Sequence, residues 1–194
     1  MLTLTSTASR SAGLHEYIKT HMPENEELLH THFAQGDIVT TVIRCAGGET
    51  ITLTLDTTLP RYYSRDFTVR GTKGMYEEVT DSVFFDEELK DLHFKWKEQW
   101  GNAKNYADQY EHPIWKQFLS DGVHGSHGGM DWLVFNAFFD SIIEKKPCPI
   151  DVYDAASWMC ITALSEESIA MGGHPVAVPD FTNGAWTTSK DPVF

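Results

Sequence analysis

Thr50-Ile51-Thr52-Leu53-Thr54-Leu55-Asp56-Thr57-Thr58 decides the fold class. Polar and apolar residues alternate with a period of two. That spacing puts Ile51, Leu53 and Leu55 on one face of an extended chain and threonines on the other. A helix would scatter the same residues around its axis. The stretch is read as a half-buried antiparallel strand, one face on a core and one toward water. Just before it, Ala46-Gly47-Gly48-Glu49 reads as a hairpin turn, because glycine supplies the positive φ that tight turns need. Asp37 to Cys45 (Asp-Ile-Val-Thr-Thr-Val-Ile-Arg-Cys) is β-branched and makes the partner strand. Downstream, Thr68-Val69-Arg70 runs into a turn at Gly71-Thr72-Lys73-Gly74. Met75 to Glu78 and Ser82 to Phe85 then read as a further strand pair. The first half is a meander of strands joined by tight turns.

The second half changes period. From Asp131 to Lys146, Trp132, Phe135, Phe138, Phe139, Ile142 and Ile143 fall on one helical face. Lys145-Lys146-Pro147 closes that helix, since cations suit its C-terminus and proline cannot continue it. Asp151 reads as the N-cap of a second helix, with Asp154 completing a capping box. Ala155, Ala156, Met159, Ala163 and Leu164 carry it on, and Gly172-Gly173 ends it. Pro175 to Pro179 is one short edge strand. Leu14 to His32 reads as one or two short helices under loop. Phe85 to Leu119, charged and aromatic without a clean period, reads as loop and short helix. Strands first and helices afterwards predict an α+β fold: an open, mainly antiparallel sheet with helices packed on one face, a two-layer sandwich. The 194 residues are read as a single domain, 1–194.

Composition narrows the function. Hydrophobic residues make up 41% of the chain, as in folded globular proteins. The net charge is −13, which speaks against nucleic acid and against anionic membrane surfaces, both of which need clustered Lys and Arg. No apolar run approaches the roughly 20 residues that span a bilayer. Met1 to Ser6 lacks the features of a signal peptide, so a cytoplasmic location is expected; export stays open if a true N-terminus lies upstream. Cys45, Cys148 and Cys160 are odd in number and form no CxxC, so they read as reduced core thiols.

Chemistry concentrates at His124-Gly125-Ser126-His127-Gly128-Gly129-Met130-Asp131, ahead of the Trp132 helix. Glycines let the backbone approach a ligand, and imidazole with carboxylate moves protons. His127 has two readings: a polar group aimed at a ligand and oriented by Asp131, or a loop residue beside an Asp131 that only caps the helix. A metal held by His124 and His127 at i, i+3 is disfavoured, because the glycines interrupt a helix there. His30 and His32 are a weaker pair still. Pro60-Arg61-Tyr62-Tyr63-Ser64-Arg65 offers rings that stack on a sugar and guanidinium groups that bond its hydroxyls; alternatively its aromatics pack on the sheet rim. Trp96, Trp100, Tyr106, Tyr110 and Trp115 read as core or interface rather than ligand platform. No Gly-x-Ser-x-Gly elbow occurs, and no pair stands out among the 28 acidic residues for ordinary glycoside hydrolysis. No GxGxxG follows a strand, so a Rossmann cofactor domain is absent from these residues and no metal or cofactor is expected in this chain alone.

Five motifs occur in order: Asp56 to Arg65, Val69-Arg70-Gly71-Thr72-Lys73-Gly74, Glu111-His112-Pro113-Ile114-Trp115, His127 to Asp131, and Asp151-Val152-Tyr153-Asp154-Ala155-Ala156. Together they resemble the C-terminal domain of Gfo/Idh/MocA-type oxidoreductases, nearest the NAD-dependent α-N-acetylgalactosaminidases of glycoside hydrolase family 109. The resemblance runs from about Thr3 to Trp186. It implies a two-domain enzyme, with an N-terminal Rossmann domain holding NAD and a C-terminal α+β domain forming one wall of the sugar site. In that branch NAD transiently oxidises the sugar, the glycosidic bond breaks by elimination, water adds and the hydride returns. No flanking carboxylate pair is required.

The resemblance implies that Tyr63 faces the sugar, with Arg65 in the same Pro-Arg-x-Tyr-Ser-Arg stretch and His127 also binding substrate. His127 and Asp131 match the family's His-Gly-Gly-Met-Asp motif and are the candidate catalytic residues. The family's Tyr-x-x-His segment, expected just upstream of residue 1, is not in this chain. The implied role is substrate binding and dimerisation through the sheet, inactive without a Rossmann domain in cis or in trans. A sugar or inositol dehydrogenase domain of the same superfamily is the alternative, and a stand-alone, non-catalytic association domain is another.

Overall fold

The computed structural model describes residues 1–88 and 95–187. In chain order the elements are β1 (Thr3–Ala8), α1 (Gly13–His21), α2 (Glu26–His30), β2 (Ile38–Arg44), β3 (Thr50–Asp56), β4 (Thr68–Arg70), β5 (Gly74–Glu77) and β6 (Ser82–Phe85). They continue as α3 (Trp96–Gln99), α4 (Ala107–Tyr110), α5 (Pro113–Asp121), α6 (Met130–Glu144), α7 (Val152–Ala170) and β7 (Val176–Ala177). The class is α+β, with antiparallel sheets throughout. Part of the expected Phe85–Leu119 segment, 89–94, lies outside the described residues. The meander forms two sheets, ordered β3-β2-β1-β7 and β4-β5-β6. Chain contacts divide the protein into two compact units, one of Met1–Pro60 with Asn136–Phe194 and the other of Arg61–Phe135.

In the first unit, β2 and β3 pair in the expected hairpin, closed by the Cys45 amide donating to the Glu49 carbonyl at 2.8 Å. Register aligns Leu4 with Ile43 and Ser6 with Thr41, so these four share one sheet face. All four are buried. Helix α7 lies over β1 on that face. Its start carries the expected capping box: Asp151 accepts from the Tyr153 and Asp154 amides, and Asp154 accepts from the Asp151 amide.

Strand β7 is only two residues long and pairs with Thr3 and Leu4 alone. Beyond it the Ser6 amide would face an open edge. The Ser168 hydroxyl of α7 accepts that N–H at 2.9 Å and donates to the His174 carbonyl at 2.8 Å. The Ser6 and Thr41 hydroxyls bond each other at 2.7 Å, and Ser165 reaches Thr41 at 3.3 Å. A buried hydroxyl chain thus stitches helix to sheet, satisfying groups that burial would otherwise penalise.

Two expectations of burial are corrected. Strand β3 is not half-buried. Ile51, Leu53 and Leu55 align with Ile43, Thr41 and Val39 on the α7 side, yet they are 40–51% exposed. The reason is position: β3 is the edge strand, and α7 covers β1 instead. Helix α6 ends at Glu144, so Lys145 (φ 55°) and Lys146 lie past its last turn rather than in it, and the helix buries none of its residues; Phe135, Phe138, Phe139, Ile142 and Ile143 are exposed. The three cysteines are free and half-buried, and burial raises the Cys160 thiol above its ordinary pKa.

Candidate functional site

The sequence-predicted residues Tyr63, Arg65, His127 and Asp131 all belong to the second unit. Its sheet is the small β4-β5-β6 meander, with the Gly71 amide donating to the Gly74 carbonyl at 2.8 Å across the first turn. Phe85 on β6 meets Tyr106 and Tyr110 with ring centroids 5.3 Å from each. An open trough of about 1050 Å³ runs along these rings, lined also by Phe67, Tyr76 and Trp115.

The loop that carries His127 is set by backbone strain and by one close approach. His127 has φ 52°, Gly128 66° and Gly129 93°. Left-handed backbone is uncommon outside glycine, and such outliers gather at functional sites. A Cβ on Gly129 would lie 2.1 Å from Cζ of the buried Phe118 on α5. Helix α5 itself starts with Pro113 at its first position, and the His112 ring nitrogen Nδ1 accepts the Ile114 amide at 3.2 Å.

Asp131 does not cap α6. It sits in the helix's first turn and faces back to His127. His127 Nδ1 and Asp131 Oδ2 are 2.8 Å apart. That bond, and then the charge of Asp131, raises the His127 pKa above 6.5 against a smaller opposing effect of desolvation. When the ring is neutral, Nδ1–H donates to the carboxylate and Nε2 carries the lone pair. Nε2 has no hydrogen-bond partner among the described residues. The arrangement can hold or release a proton at an exposed atom whose ring is fixed from behind.

Tyr62 and Tyr63 are 98% and 88% exposed, so neither packs on a sheet rim. The Tyr63 hydroxyl is unpartnered among the described residues. Arg65 donates from Nε to Glu78 Oε1 at 3.3 Å. The structure therefore joins His127 to Asp131 but not Tyr63 to His127, and it brings in Glu78, which sequence reading misses. Glu78 is thirteen residues from Arg65, across the β4–β5 hairpin, and no short motif contains both.

Among the described residues, neither glycine-rich turn has the order of a Rossmann pyrophosphate cradle. A pyrophosphate cradle needs a strand, a glycine turn and a helix in succession. Here Gly71–Gly74 joins antiparallel strands, and the glycines before α6 follow helix α5. Among the described residues no group of three or more His, Cys, Asp or Glu is arranged for a metal, and no helix is long and apolar enough to cross a membrane.

Comparison with known proteins bears on the whole chain. The family described as "Glycosyl hydrolase 109, C-terminal domain" matches residues 1–188. A "Glycosyl hydrolase family 109 protein" of Stenotrophomonas maltophilia is 44% identical over 188 residues, covering 96% of this chain and 40% of that protein. A relative of the same description from Parabacteroides distasonis is 40% identical over 185 residues, covering 95% of this chain and 38% of that protein. An "Alpha-N-acetylgalactosaminidase" of Tannerella forsythia is 39% identical over 193 residues, covering 100% of this chain and 40% of that protein. The chain thus spans about two-fifths of the length of these curated relatives. With one family model running almost end to end over both units, the chain belongs to the glycosyl hydrolase 109 C-terminal domain family.

Proposed function

We propose that this chain supplies one wall of the sugar site of an α-N-acetylgalactosaminidase. The observation that carries the reading is the His127–Asp131 pair, held on strained backbone with Nε2 exposed. Tyr63 and Arg65 contribute ring and guanidinium contacts to the sugar. The name of the Tannerella forsythia relative supplies the substrate class. NAD is held by a Rossmann domain outside these residues, joined in cis or in trans, and the chain alone is inactive. His127, oriented by Asp131, holds a proton near the reacting sugar; Tyr63 and Arg65 orient that sugar.

Copies of the chain associate through the sheet, which leaves β3 as an uncovered edge. An uncovered edge also favours the second reading, a stand-alone association domain.

Titration with N-acetylgalactosamine separates the readings. Binding that weakens in both Tyr63→Phe and His127→Ala supports the sugar site. A stable dimer with no sugar binding favours the association domain. Titration with NAD(H) is expected to give no micromolar binding, and clear binding contradicts the assignment of the cofactor elsewhere. Cleavage of an α-N-acetylgalactosaminide on adding a Rossmann-domain partner supports the glycosidase over a plain dehydrogenase.

A further inference from the structure

The segment Arg61–Phe67 is held by the side chains of Arg61, Ser64 and Arg65 and by the backbone amides of Asp66 and Phe67. The Arg61 guanidinium folds back and donates to the carbonyls of Tyr62 and Ser64, at 3.2 and 3.3 Å. Ser64 Oγ accepts the Asp66 amide at 2.8 Å, and Asp66 adopts φ 51°, a sharp reversal for a residue with a Cβ. The two ends of this reversal then meet one carboxylate. Glu78 Oε1 accepts from Arg65 Nε at 3.3 Å, and Oε2 accepts from the Phe67 amide at 3.0 Å. The Glu78 amide donates in return to the Phe67 carbonyl at 2.8 Å. Glu78 is the less exposed member of its ion pair, with 26% of its side chain exposed against 64% for Arg65. It is thus the anchored partner, and the loop is the part being held. Tyr62 and Tyr63 have almost their whole surface in solvent.

Adjacent exposed aromatic rings form the kind of patch that marks a ligand-binding or interaction surface. Their direction depends on the backbone from Ser64 to Phe67, and Glu78 sets that backbone. We infer that Glu78 is a positioning residue for sugar binding: its carboxylate clamps Arg65 and the Phe67 amide and so fixes the loop that presents Tyr63. The inference rests on the reading above that Tyr63 contacts the sugar. It also revises the role of Arg65, whose Nε is committed to Glu78. Arg65 offers substrate only what remains of its guanidinium, so it acts first as a strut.

The test uses the 194-residue chain and two readouts, amide hydrogen exchange at Phe67 and affinity for N-acetylgalactosamine. In Glu78→Ala the Phe67 exchange rate rises at least tenfold, and affinity falls at least fivefold with an unchanged thermal midpoint. Glu78→Gln keeps an acceptor for the Phe67 amide but not the ion pair. It restores slow exchange and most of the affinity. Unchanged Phe67 exchange in Glu78→Ala overturns the clamp. Faster exchange with unaltered affinity, in a chain where Tyr63→Phe does weaken binding, overturns the link from clamp to Tyr63. If Tyr63→Phe itself leaves affinity unchanged, the sugar-site reading fails instead, and the positioning role falls with it.

Discussion

His127 and Asp131 are joined by a 2.8 Å hydrogen bond from the first turn of α6 back to a residue with left-handed backbone. The geometry fixes which imidazole nitrogen faces the helix. It leaves Nε2 outward in both protonation states, as an acceptor when neutral and a donor when charged.

Removing the carboxylate charge is therefore expected to lower the His127 pKa. In the native chain the value lies above 6.5, because of the bond to Asp131 and then its charge. In Asp131→Asn it returns toward the ordinary histidine range. Histidine ring resonances followed through a pH titration by NMR read this directly. An unshifted titration curve in the variant would mean that the pair does not form in solution. The linked stability has a defined sign. A raised folded pKa stabilises fully below the unfolded value, near 6.5, and the gain is lost as pH rises through the folded pKa. The ring is exposed, so solvent screening keeps that contribution small.

Gly129 and Gly128 both have positive φ, yet their alanine variants are expected to differ. A Cβ at Gly129 overlaps the tip of the Phe118 ring, and Phe118 is buried. Strain and overpacking together cost about 2–4 kcal/mol. A Cβ at Gly128 finds nothing within 4 Å, so only the left-handed backbone penalty of about 1–2 kcal/mol remains. Urea unfolding of Gly128→Ala and Gly129→Ala compares them, and Phe118→Leu combined with Gly129→Ala should recover part of the larger loss. Equal losses at the two positions would remove the steric argument.

Much of this architecture is legible in the sequence because its signals are local. Period-two alternation marks β3, the glycine pair marks its hairpin, and Asp151 with Asp154 marks the start of α7. Strand β1 is not read from the sequence, although it is central to the sheet. Its buried row is Leu4 and Ser6, and Ser6 looks like a surface residue until Thr41 and Ser168 are beside it. Those partners are 35 and 162 residues away. Burial fails for the same reason at β3, where alternation is right but coverage depends on where α7 lies. At the candidate site, the His127–Asp131 pair is legible because its members lie only four positions apart. Glu78 is not, because its partnership with Arg65 exists only once β4 and β5 have paired.

Ser168 and Ser165 give a second contrast, inside the buried hydroxyl chain. Ser168→Ala strands the Ser6 amide and the His174 carbonyl together, since the one hydroxyl serves both. Leaving the buried Ser6 amide unpaired costs about 1–3 kcal/mol before relaxation, whereas the exposed His174 can turn its carbonyl to water. Ser165→Ala removes only a 3.3 Å contact to Thr41, whose hydroxyl keeps its 2.7 Å bond to Ser6. Its cost is expected to be at most about 1 kcal/mol. Urea midpoints measure both. A Ser165 loss as large as that of Ser168 would show that the chain acts as one cooperative network rather than through the Ser6 amide.

Asp37 makes the first unit sensitive to acid. Its carboxylate is buried and accepts the Ala12 amide at 3.0 Å, the Gly13 amide at 2.9 Å and the Thr58 hydroxyl at 2.9 Å. It thereby supplies the start of α1 with the acceptor that Ala12 cannot, and ties that helix to the end of β3. Burial works against its charge, but the bonds from Gly13, Thr58 and Ala12, with Arg10 nearby, hold its pKa below 3.8. A depressed folded pKa means that the stabilisation is present above the unfolded value, near 3.9, and is lost as pH falls through the folded one. The native chain should therefore lose stability as pH falls below about 4 by an amount that Asp37→Asn does not lose, because the amide cannot titrate. At neutral pH the native chain is the more stable of the two, since Asn offers one neutral acceptor where the carboxylate offers two charged ones. Urea midpoints of the two proteins at neutral pH and at pH 3 measure the difference. A gap that stays constant across that range would mean that Asp37 is not the titrating anchor.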